Sequence, residues 1–202
     1  MRTSVPPDRR GRPGPSLVSS WSDVPHLFEP ASSGRAKCRA CGDRIANGEL
    51  RFGERLPNPF ADDGGEMTHW YHPACAAYRR PEPFLETVDA AGQALADRER
   101  LVREATLGAA HHRVPRLNRA ERASSGRATC RHCREKIEKD AWRFSLVFYE
   151  DGRFVPAGFV HASCAAAYFE TTDILDRLRH FSPGLGDADL AEIRAALATD
   201  AG

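Results

Sequence analysis

Apolar residues recur at helical intervals in the middle of the chain and again near its end. Between Leu85 and about Leu107, four apolar residues fall near one face and predict a helix: Val88, Ala91, Leu95 and Val102. A second helix is predicted from Phe169 to about His180. Leu190, Ile193 and Leu197 have helical spacing behind Asp187, which is suited to cap a final helix.

Short strands are predicted between these helical segments. Residues 143–149 read Arg-Phe-Ser-Leu-Val-Phe-Tyr, which is typical of a β-strand. The runs Cys75-Ala-Ala-Tyr and Cys164-Ala-Ala-Ala-Tyr consist mostly of good helix formers. The pattern therefore predicts an α+β fold with two small units, each with a short antiparallel sheet and a helix.

The two units are copies of one another. Residues 32–38 read SSGRAKC and residues 124–130 read SSGRATC, and a second cysteine follows three positions later in each copy. Each copy then has an Arg-Phe pair and closes with the pattern H-x-x-C-A-A, at residues 72–77 and 161–166. One repeat at this distance indicates a duplicated domain rather than a solenoid.

The repeat and the Pro- and Gly-rich stretches divide the chain into five segments. Residues 1–24 are rich in Pro, Gly, Ser and Arg and are predicted to form a disordered basic tail. The other segments are finger one (27–80), a helical linker (81–119), finger two (120–169) and a C-terminal helical segment (170–202).

Composition indicates that these small units need metal ions or disulfides for stability. The chain has 202 residues, of which 41% are hydrophobic, with 16 glycines and 14 prolines. Small domains with little apolar surface to bury usually need metal ions or disulfides. The formal net charge is +1, so any basic surface that could bind nucleic acid must be local.

The six cysteines could stabilise the units either as disulfides or as metal ligands. The basic N-terminus is not followed by the apolar stretch of a signal peptide, and no segment approaches the roughly 20 apolar residues of a membrane helix. We therefore expect an intracellular protein without a membrane partner, in which thiols stay reduced. A histidine accompanies the cysteines in both copies, which favours metal over disulfides.

The repeated ligand pattern predicts two structural zinc ions per chain. Three Cys and one His in a tetrahedron suit zinc, and four protein ligands leave no position open for catalysis. His69 and His72 both precede Cys75, but only His72 has a counterpart in the second copy, so His69 is expected to be a surface or supporting histidine. The predicted ligands are Cys38, Cys41, His72 and Cys75 in the first site, and Cys130, Cys133, His161 and Cys164 in the second.

No other catalytic motif is present. The sequence lacks a Walker loop, an evident Ser/His/Asp set and a carboxylate pair, and a zinc-dependent hydrolase would need a water-accessible metal. We therefore expect a protein that is not an enzyme. Each zinc is expected to fold its own finger and to leave the other finger largely unaffected.

Three motifs together resemble the poly(ADP-ribose) polymerase-type zinc finger: S-G-R-A-x-C-x-x-C, an Arg-Phe pair ten residues after the second cysteine, and W-Y-H-x-x-C in finger one. The run Leu178-Arg-His-Phe-Ser-Pro-Gly-Leu is also similar to the segment that follows these fingers. The resemblance implies a compact α+β finger that recognises DNA breaks, ends or nicks by structure rather than by sequence. No polymerase or ligase domain accompanies the fingers, so neither activity is implied.

The resemblance also implies which residues contact DNA. Arg35 and Arg127 match positions that contact the phosphate backbone, as do Arg51 and Arg143 on the following strand. Apolar loop residues of the family cover the exposed base at a break, and the matching positions here are Phe60 and Met67 in finger one, and Tyr149 and Phe154 in finger two, with Val155 as a further candidate. Stacking on such a base contributes roughly 1–3 kcal/mol.

Two functional interpretations remain at this point. The first is a zinc-dependent DNA-binding protein in the nucleus, or in the cytoplasm or nucleoid of a bacterium, with a repair enzyme on another chain as a further expected partner. The second is a protein-interaction adaptor without DNA affinity. Basic residues are dense from Arg113 to Arg143, whereas finger one has acids at Asp62, Asp63 and Glu66, so finger two is expected to bind DNA more strongly.

Overall fold

Two three-stranded antiparallel sheets, each followed by helices, form an α+β fold in the computed structural model of the protein. The structure describes residues 26–58, 61 and 65–198. The predicted tail at 1–24 and the loop residues Phe60, Asp62 and Asp63 lie outside the described residues. In chain order the elements are β1 (Leu27–Pro30), β2 (Leu50–Pro57), β3 (Glu66–Tyr71), α1 (Pro73–Arg79), α2 (Pro81–Thr87), α3 (Arg98–Ala110), β4 (Leu117–Arg122), β5 (Trp142–Glu150), β6 (Arg153–His161), α4 (Ala165–Phe169), α5 (Leu175–Phe181) and α6 (Asp187–Ala198).

The first unit comprises the sheet β1-β2-β3 and helices α1 to α3. Phe52 on β2 lies opposite both Phe28 on β1 and Tyr71 on β3. Phe52, Tyr71 and Phe84 are fully buried, and their rings pack together in the core. The sheet thus carries the end of β3, where the predicted ligand histidine lies, directly into α1.

The second unit comprises the sheet β4-β5-β6 with α4 and α6. Phe144 on β5 pairs with Val160 on β6, and both are buried in a core that includes Ile193 and Leu197 of α6. The register of β5 and β6 shifts by one residue between Leu146 and Val147, as a β-bulge requires. As predicted, the last helix buries Leu190, Ile193 and Leu197.

The single helix predicted from Leu85 to Leu107 is wrong. The chain leaves helical geometry at Gly92, where φ is 55°, and at Asp97, where φ is 54°, so α2 and α3 are separate and a short 3₁₀ segment lies between them. Pro81 starts α2 because its missing N–H is not needed in a first helical turn. Glu170 ends α4 with φ of 61°, so the helix predicted from Phe169 starts only at Leu175.

Helix α5 lies between the two units. Its residues Ile174, at the N-cap, and Leu178 are buried in the core of the second unit, whereas Phe181 at its end belongs to the core of the first unit. The units therefore share a helix and pack against one another. None of the helices in the described residues is long and apolar enough to cross a membrane.

Candidate metal centres and nucleic-acid interface

The first metal centre lies where a loop between β1 and β2 meets the start of α1. Cys38 and Cys41 come from the loop, His72 is the N-cap residue of α1, and Cys75 lies in its first turn. The loop turns back because the N–H of Gly42 donates to the carbonyl of Cys38 at 2.9 Å, with φ of +84° at Gly42. This positive φ is readily accessible to glycine. The turn therefore presents both thiols to the helix.

The second centre repeats this construction. Cys130 and Cys133 lie in the equivalent loop, and His161 at the end of β6 and Cys164 before α4 supply the other two groups. Arg134 takes the place of Gly42: its N–H donates to the carbonyl of Cys130 at 3.1 Å, and its φ is 69°. A non-glycine residue rarely adopts this conformation, so the second turn carries some backbone strain.

Both clusters have the dimensions of a tetrahedral zinc site. Within each cluster the four ligand atoms lie within 4.8 Å of one another. The Nδ1 atom of His72 is 3.5 Å from Sγ of Cys41 and 3.9 Å from Sγ of Cys75, and that of His161 is 3.4 Å from Sγ of Cys133. Bonds of about 2.3 Å to sulfur and about 2.0 Å to nitrogen in a tetrahedron separate neighbouring ligand atoms by about 3.5–3.8 Å.

The other ring nitrogen of each histidine also has the partner that a zinc ligand needs. Nε2 of His72 is 3.4 Å from the carbonyl of Arg44, and Nε2 of His161 is 3.1 Å from the carbonyl of Lys136. An N–H that donates to a carbonyl leaves Nδ1 free to bind the metal. All six cysteines are free thiols and lie in these clusters, so the two predicted structural zinc sites are confirmed and the alternative of stabilising disulfides is excluded.

The ligand groups of the first centre shift one another's protonation. The hydrogen bond with Cys75 holds the pKa of the Cys38 thiol down at about 3, against the effect of burial. The hydrogen bond with Cys38 raises the pKa of His72 to about 9. Such strong mutual perturbation is typical of thiols gathered to share one cation, and metal affinity at such a site falls at low pH because the ligands must lose protons.

His69 is not a metal ligand, as expected, but it is not a surface residue either. Its side chain is buried on β3, and its Nδ1 lies 3.1 Å from the hydroxyl of Tyr149 on the second unit. Gly152 approaches the same ring so closely that a Cβ there would lie 2.3 Å from Cε1 of His69. His69 therefore belongs to the interface between the units.

Of the predicted phosphate contacts, Arg35 and Arg127 lie on the surface. Each is exposed in the loop that carries the first two cysteines of its centre, and neither forms an ion pair with the described residues. We call these loops the first knuckle (residues 32–44) and the second knuckle (residues 124–136). The surrounding backbone is held in both: the N–H of Ile45 donates to Ala36 at 3.0 Å, and that of Ile137 donates to Ala128 at 2.9 Å.

Arg51 and Arg143 occupy a different environment from that of a surface contact. They are 7% and 8% exposed. The guanidinium of Arg51 donates to Glu29 at 2.5 Å and lies 3.5 Å above the ring of Trp70. Arg143 repeats the arrangement with Glu121 at 2.5 Å and with Phe159 at 3.8 Å. A phosphate would have to compete with the glutamate, so their role as DNA contacts stays a prediction.

The predicted base-covering residues are also differently placed in the two units. Met67 is half-buried on β3, opposite Leu56. Tyr149 and Phe154, whose ring centroids are 4.9 Å apart, lie at the β5–β6 turn and contact the first unit. Phe154 packs against the core of the first unit, and Tyr149 lies under the guanidinium of Arg80 at 4.1 Å. These two side chains therefore connect the units, and their role as base contacts stays a prediction.

Sequence reasoning missed the residues that join the two units. Arg79, 3% exposed, donates to the carbonyls of Pro115 and Leu117 at 2.9 and 2.6 Å, and to Oδ1 of Asn118 at 2.7 Å. Arg177 on α5 is 1% exposed and donates to the carbonyl of Tyr78 at 2.7 Å. Neither residue is matched in the other copy of the repeat, so the comparison of copies contained no signal for them.

Comparison with known proteins identifies the same region. Residues 29–105 match the family described as "Poly(ADP-ribose) polymerase and DNA-Ligase Zn-finger region". The chain is 31% identical over 142 residues to "Poly [ADP-ribose] polymerase 1" of Gallus gallus, a match that covers 63% of this chain and 14% of that protein. It is 32% identical over 145 residues to the Danio rerio protein of the same name, covering 64% of this chain and 14% of the relative.

A similar match links the chain to "Poly [ADP-ribose] polymerase" of Drosophila melanogaster, at 29% identity over 142 residues and 63% of this chain. The matched part spans about 14% of the length of these curated relatives. No catalytic domain is evident in the matched part. The motifs, the two Cys₃His centres and these matches agree, and they show that the chain is similar to the poly(ADP-ribose) polymerase-type zinc-finger region, with the family match at residues 29–105.

Proposed function

We propose that this protein binds DNA through its two zinc fingers and recognises strand breaks, ends or nicks by their structure. The matching family is described as a zinc-finger region of poly(ADP-ribose) polymerase and DNA ligase, and the resemblance to its fingers implies recognition of broken DNA. The chain itself acts without catalysing a reaction, because both metal ions are fully ligated by protein. A repair enzyme on another chain is a further partner, and the protein is associated with DNA in the cell.

The observation that carries the proposal is the exposed arginine beside each zinc centre. Arg35 and Arg127 extend from knuckles whose backbone is fixed by zinc and by hydrogen bonds, so each guanidinium starts from a rigid base. A guanidinium binds phosphate through two parallel charge-assisted hydrogen bonds, which makes such an arginine a strong backbone contact. Two fixed contacts recognise the geometry of the backbone rather than the sequence of bases.

The charge of the two knuckles supports equal roles for the fingers. Residues 32–44 of the first knuckle and residues 124–136 of the second knuckle each contain four basic residues and one acidic residue. Three basic residues counted toward finger two already have partners in the protein: Arg122 forms a surface ion pair with Glu192, Arg113 donates to the carbonyl of Tyr168, and Arg143 pairs with Glu121. We therefore propose that both fingers grip DNA, rather than that finger two dominates.

The remaining predicted contacts have supporting roles in this proposal. Arg51 and Arg143 fix the edge of each sheet through their glutamate and aromatic partners, and reach phosphate only if it displaces the carboxylate. Met67 and Phe60 are the base-covering residues of finger one. Because Tyr149 and Phe154 are held against the first unit, the proposal assigns the covering of an exposed base to finger one.

The test compares the affinity of the zinc-loaded chain for nicked, blunt-ended and closed circular DNA of one sequence. We expect the nicked and ended forms to bind more tightly than the closed circle. Arg35→Gln and Arg127→Gln should each weaken binding to all forms. Each should also reduce the slope of log affinity against log salt by about 0.9, the value of one phosphate contact.

Arg103→Gln is the matched control, because Arg103 is exposed on α3 outside both knuckles. Equal affinity for nicked and closed DNA would reduce the protein to a general DNA binder. Absence of binding by a chain that holds two zinc ions would instead support a protein-interaction adaptor.

A further inference from the structure

His180 on α5 approaches the first zinc centre from the far end of the chain. Its Nε2 atom lies 3.1 Å from Sγ of Cys75, and the residues are 105 positions apart. His180 is not part of the Cys₃His cluster, whose four ligand atoms lie within 4.8 Å of one another. A metal-bound thiolate can only accept a hydrogen bond, so Nε2 must carry the proton and donate it to Cys75.

The ring of His180 is held in this position by its neighbours. It packs against Tyr78 with ring centroids 4.9 Å apart, and against Phe181 at 4.7 Å. Three residues earlier on α5, the guanidinium of Arg177 donates to the carbonyls of Tyr78 and Glu104. The donor therefore comes from a helix that is bonded to both α1 and α3 of the first unit.

The other side of the same helix belongs to the second unit. Ile174 and Leu178 are fully buried in the core that contains Phe144 and Ile193. The position of His180 therefore depends on packing that forms around the second zinc centre.

The second centre has no equivalent donor among the described residues. The groups within hydrogen-bond distance of its sulfur atoms come from its own finger: the N–H groups of His132 and His161 contact Cys130, and the ring of His161 contacts Cys133 and Cys164. Cys133 is exposed, whereas Cys38 and Cys75 of the first centre are buried. The two centres thus have the same types of ligand but differ in their surroundings.

We propose that His180 is a positioning residue of the first zinc centre, which makes zinc retention by the first finger depend on the fold of the second. A zinc ion with three thiolates and one neutral imidazole carries a formal charge of −1. An N–H group directed at one thiolate spreads that charge, and it resists both protonation of the ligand and its dissociation. Partners of metal ligands typically change metal affinity by about 10–100-fold.

The experiment measures zinc release from the full chain to an excess of chelator, in which each centre contributes one phase. His180→Phe keeps the ring that packs on Tyr78 but removes the donor, and His180→Gln keeps an N–H near the position of Nε2. The control is Arg179→Ala, on the same helix but exposed, with a surface ion pair to Asp176.

We expect His180→Phe to accelerate one phase by about 10-fold or more and to leave the other unchanged. His180→Gln should lie closer to the wild type, and Arg179→Ala should match it. In the cadmium-113 form, the resonance correlated with the ring of His72 should shift in His180→Phe, while that correlated with His161 stays in place. The same resonance in His180→Gln, which keeps a donor, should stay closer to its position in the wild type, and this comparison separates the lost hydrogen bond from a change in packing.

Two outcomes would overturn the proposal. The first is a His180→Phe variant in which both phases and both resonances match the wild type. The second is an equal acceleration of both phases in His180→Phe and His180→Gln, because a general loss of stability would then explain the release.

Discussion

Replacing Arg79 tests whether the two zinc fingers form a single cooperative unit. The guanidinium lies at the end of α1, is 3% exposed, and lies 4.0 Å from the ring of Phe181. It donates to two backbone carbonyls and one side-chain amide of the segment that leads into β4. In Arg79→Met, a chain of similar length fills the site, but these three acceptors lose their donor.

The size of the effect follows from these contacts. A hydrogen bond to a charged group contributes about 1.5–3 kcal/mol, and a buried acceptor left without a partner costs about 1–3 kcal/mol. The three bonds share one cation whose desolvation is itself costly, since burial lowers the pKa of Arg79 to about 9. The sum is therefore well below three independent bonds, and we expect a loss of about 3–5 kcal/mol, as for other broken buried polar networks.

The assay is reversible unfolding of the zinc-saturated chain, followed by heat and by denaturant. A loss of this size lowers the melting temperature by about 6–20 °C in a domain of this length. The wild type should unfold in a single transition, whereas Arg79→Met should separate it into two because the units lose their connection. Arg103→Met, an exposed arginine on α3, should change stability by less than about 0.5 kcal/mol. A loss below about 1 kcal/mol in Arg79→Met, with one transition retained, would refute the reasoning.

Two further predictions concern the same interface. Gly108→Ala would ordinarily stabilise a helix by about 0.5–1 kcal/mol. Here the new Cβ would lie 2.9 Å from Nη2 of Arg177. We therefore expect the free energy of unfolding, measured with denaturant, to fall by about 1–3 kcal/mol. Gly184→Ala, with open space around the Cβ, is its control. Cys130→Ser removes a ligand of the second centre, and it should also speed the release of zinc from the first centre to a chelator. An unchanged rate of release from the first centre would show that the fingers are independent, as the sequence alone predicts.

The zinc ligands could be predicted from the sequence because their spacing is local and occurs twice. His72 was preferred over His69 only because His161 has the matching position, and the structure confirms that choice. The fold class followed from the same repeat, since each ligand pair has to be joined by a segment long enough for a small sheet. The ligands and the fold class could therefore be inferred without coordinates, because the sequence encodes both of them twice, each time within about 40 residues.

The interface between the units could not be predicted by the same argument. A comparison of the two copies detects only residues that both copies have, but the residues that join the two units occur in one copy only. Tyr168 occupies the position that corresponds to Arg79, and His180 has no counterpart in the first copy. The repeat therefore contains no signal for a role of His180. The repeat also gave no signal for the partners of Arg51 and Arg143, which are paired with Glu29 and Glu121, and the role of both arginines as DNA contacts stays a prediction.

The buried guanidinium of Arg79 and the first zinc centre are both reached from α1. Arg79 lies one helical turn after Cys75, and no carboxylate of the described residues forms an ion pair with it. The groups that raise its pKa against the effect of burial are the thiolates of Cys75 and Cys38. A Cys₃His centre that holds zinc carries a formal charge of −1, and His180 lies 3.1 Å from the Cys75 sulfur of the same centre. Because buried charges are tolerated only when they are compensated, we expect removal of the first zinc to weaken the contact between the fingers as well as its own finger. In the second unit, the buried Arg143 lies opposite the ligand His161 and is already paired with Glu121.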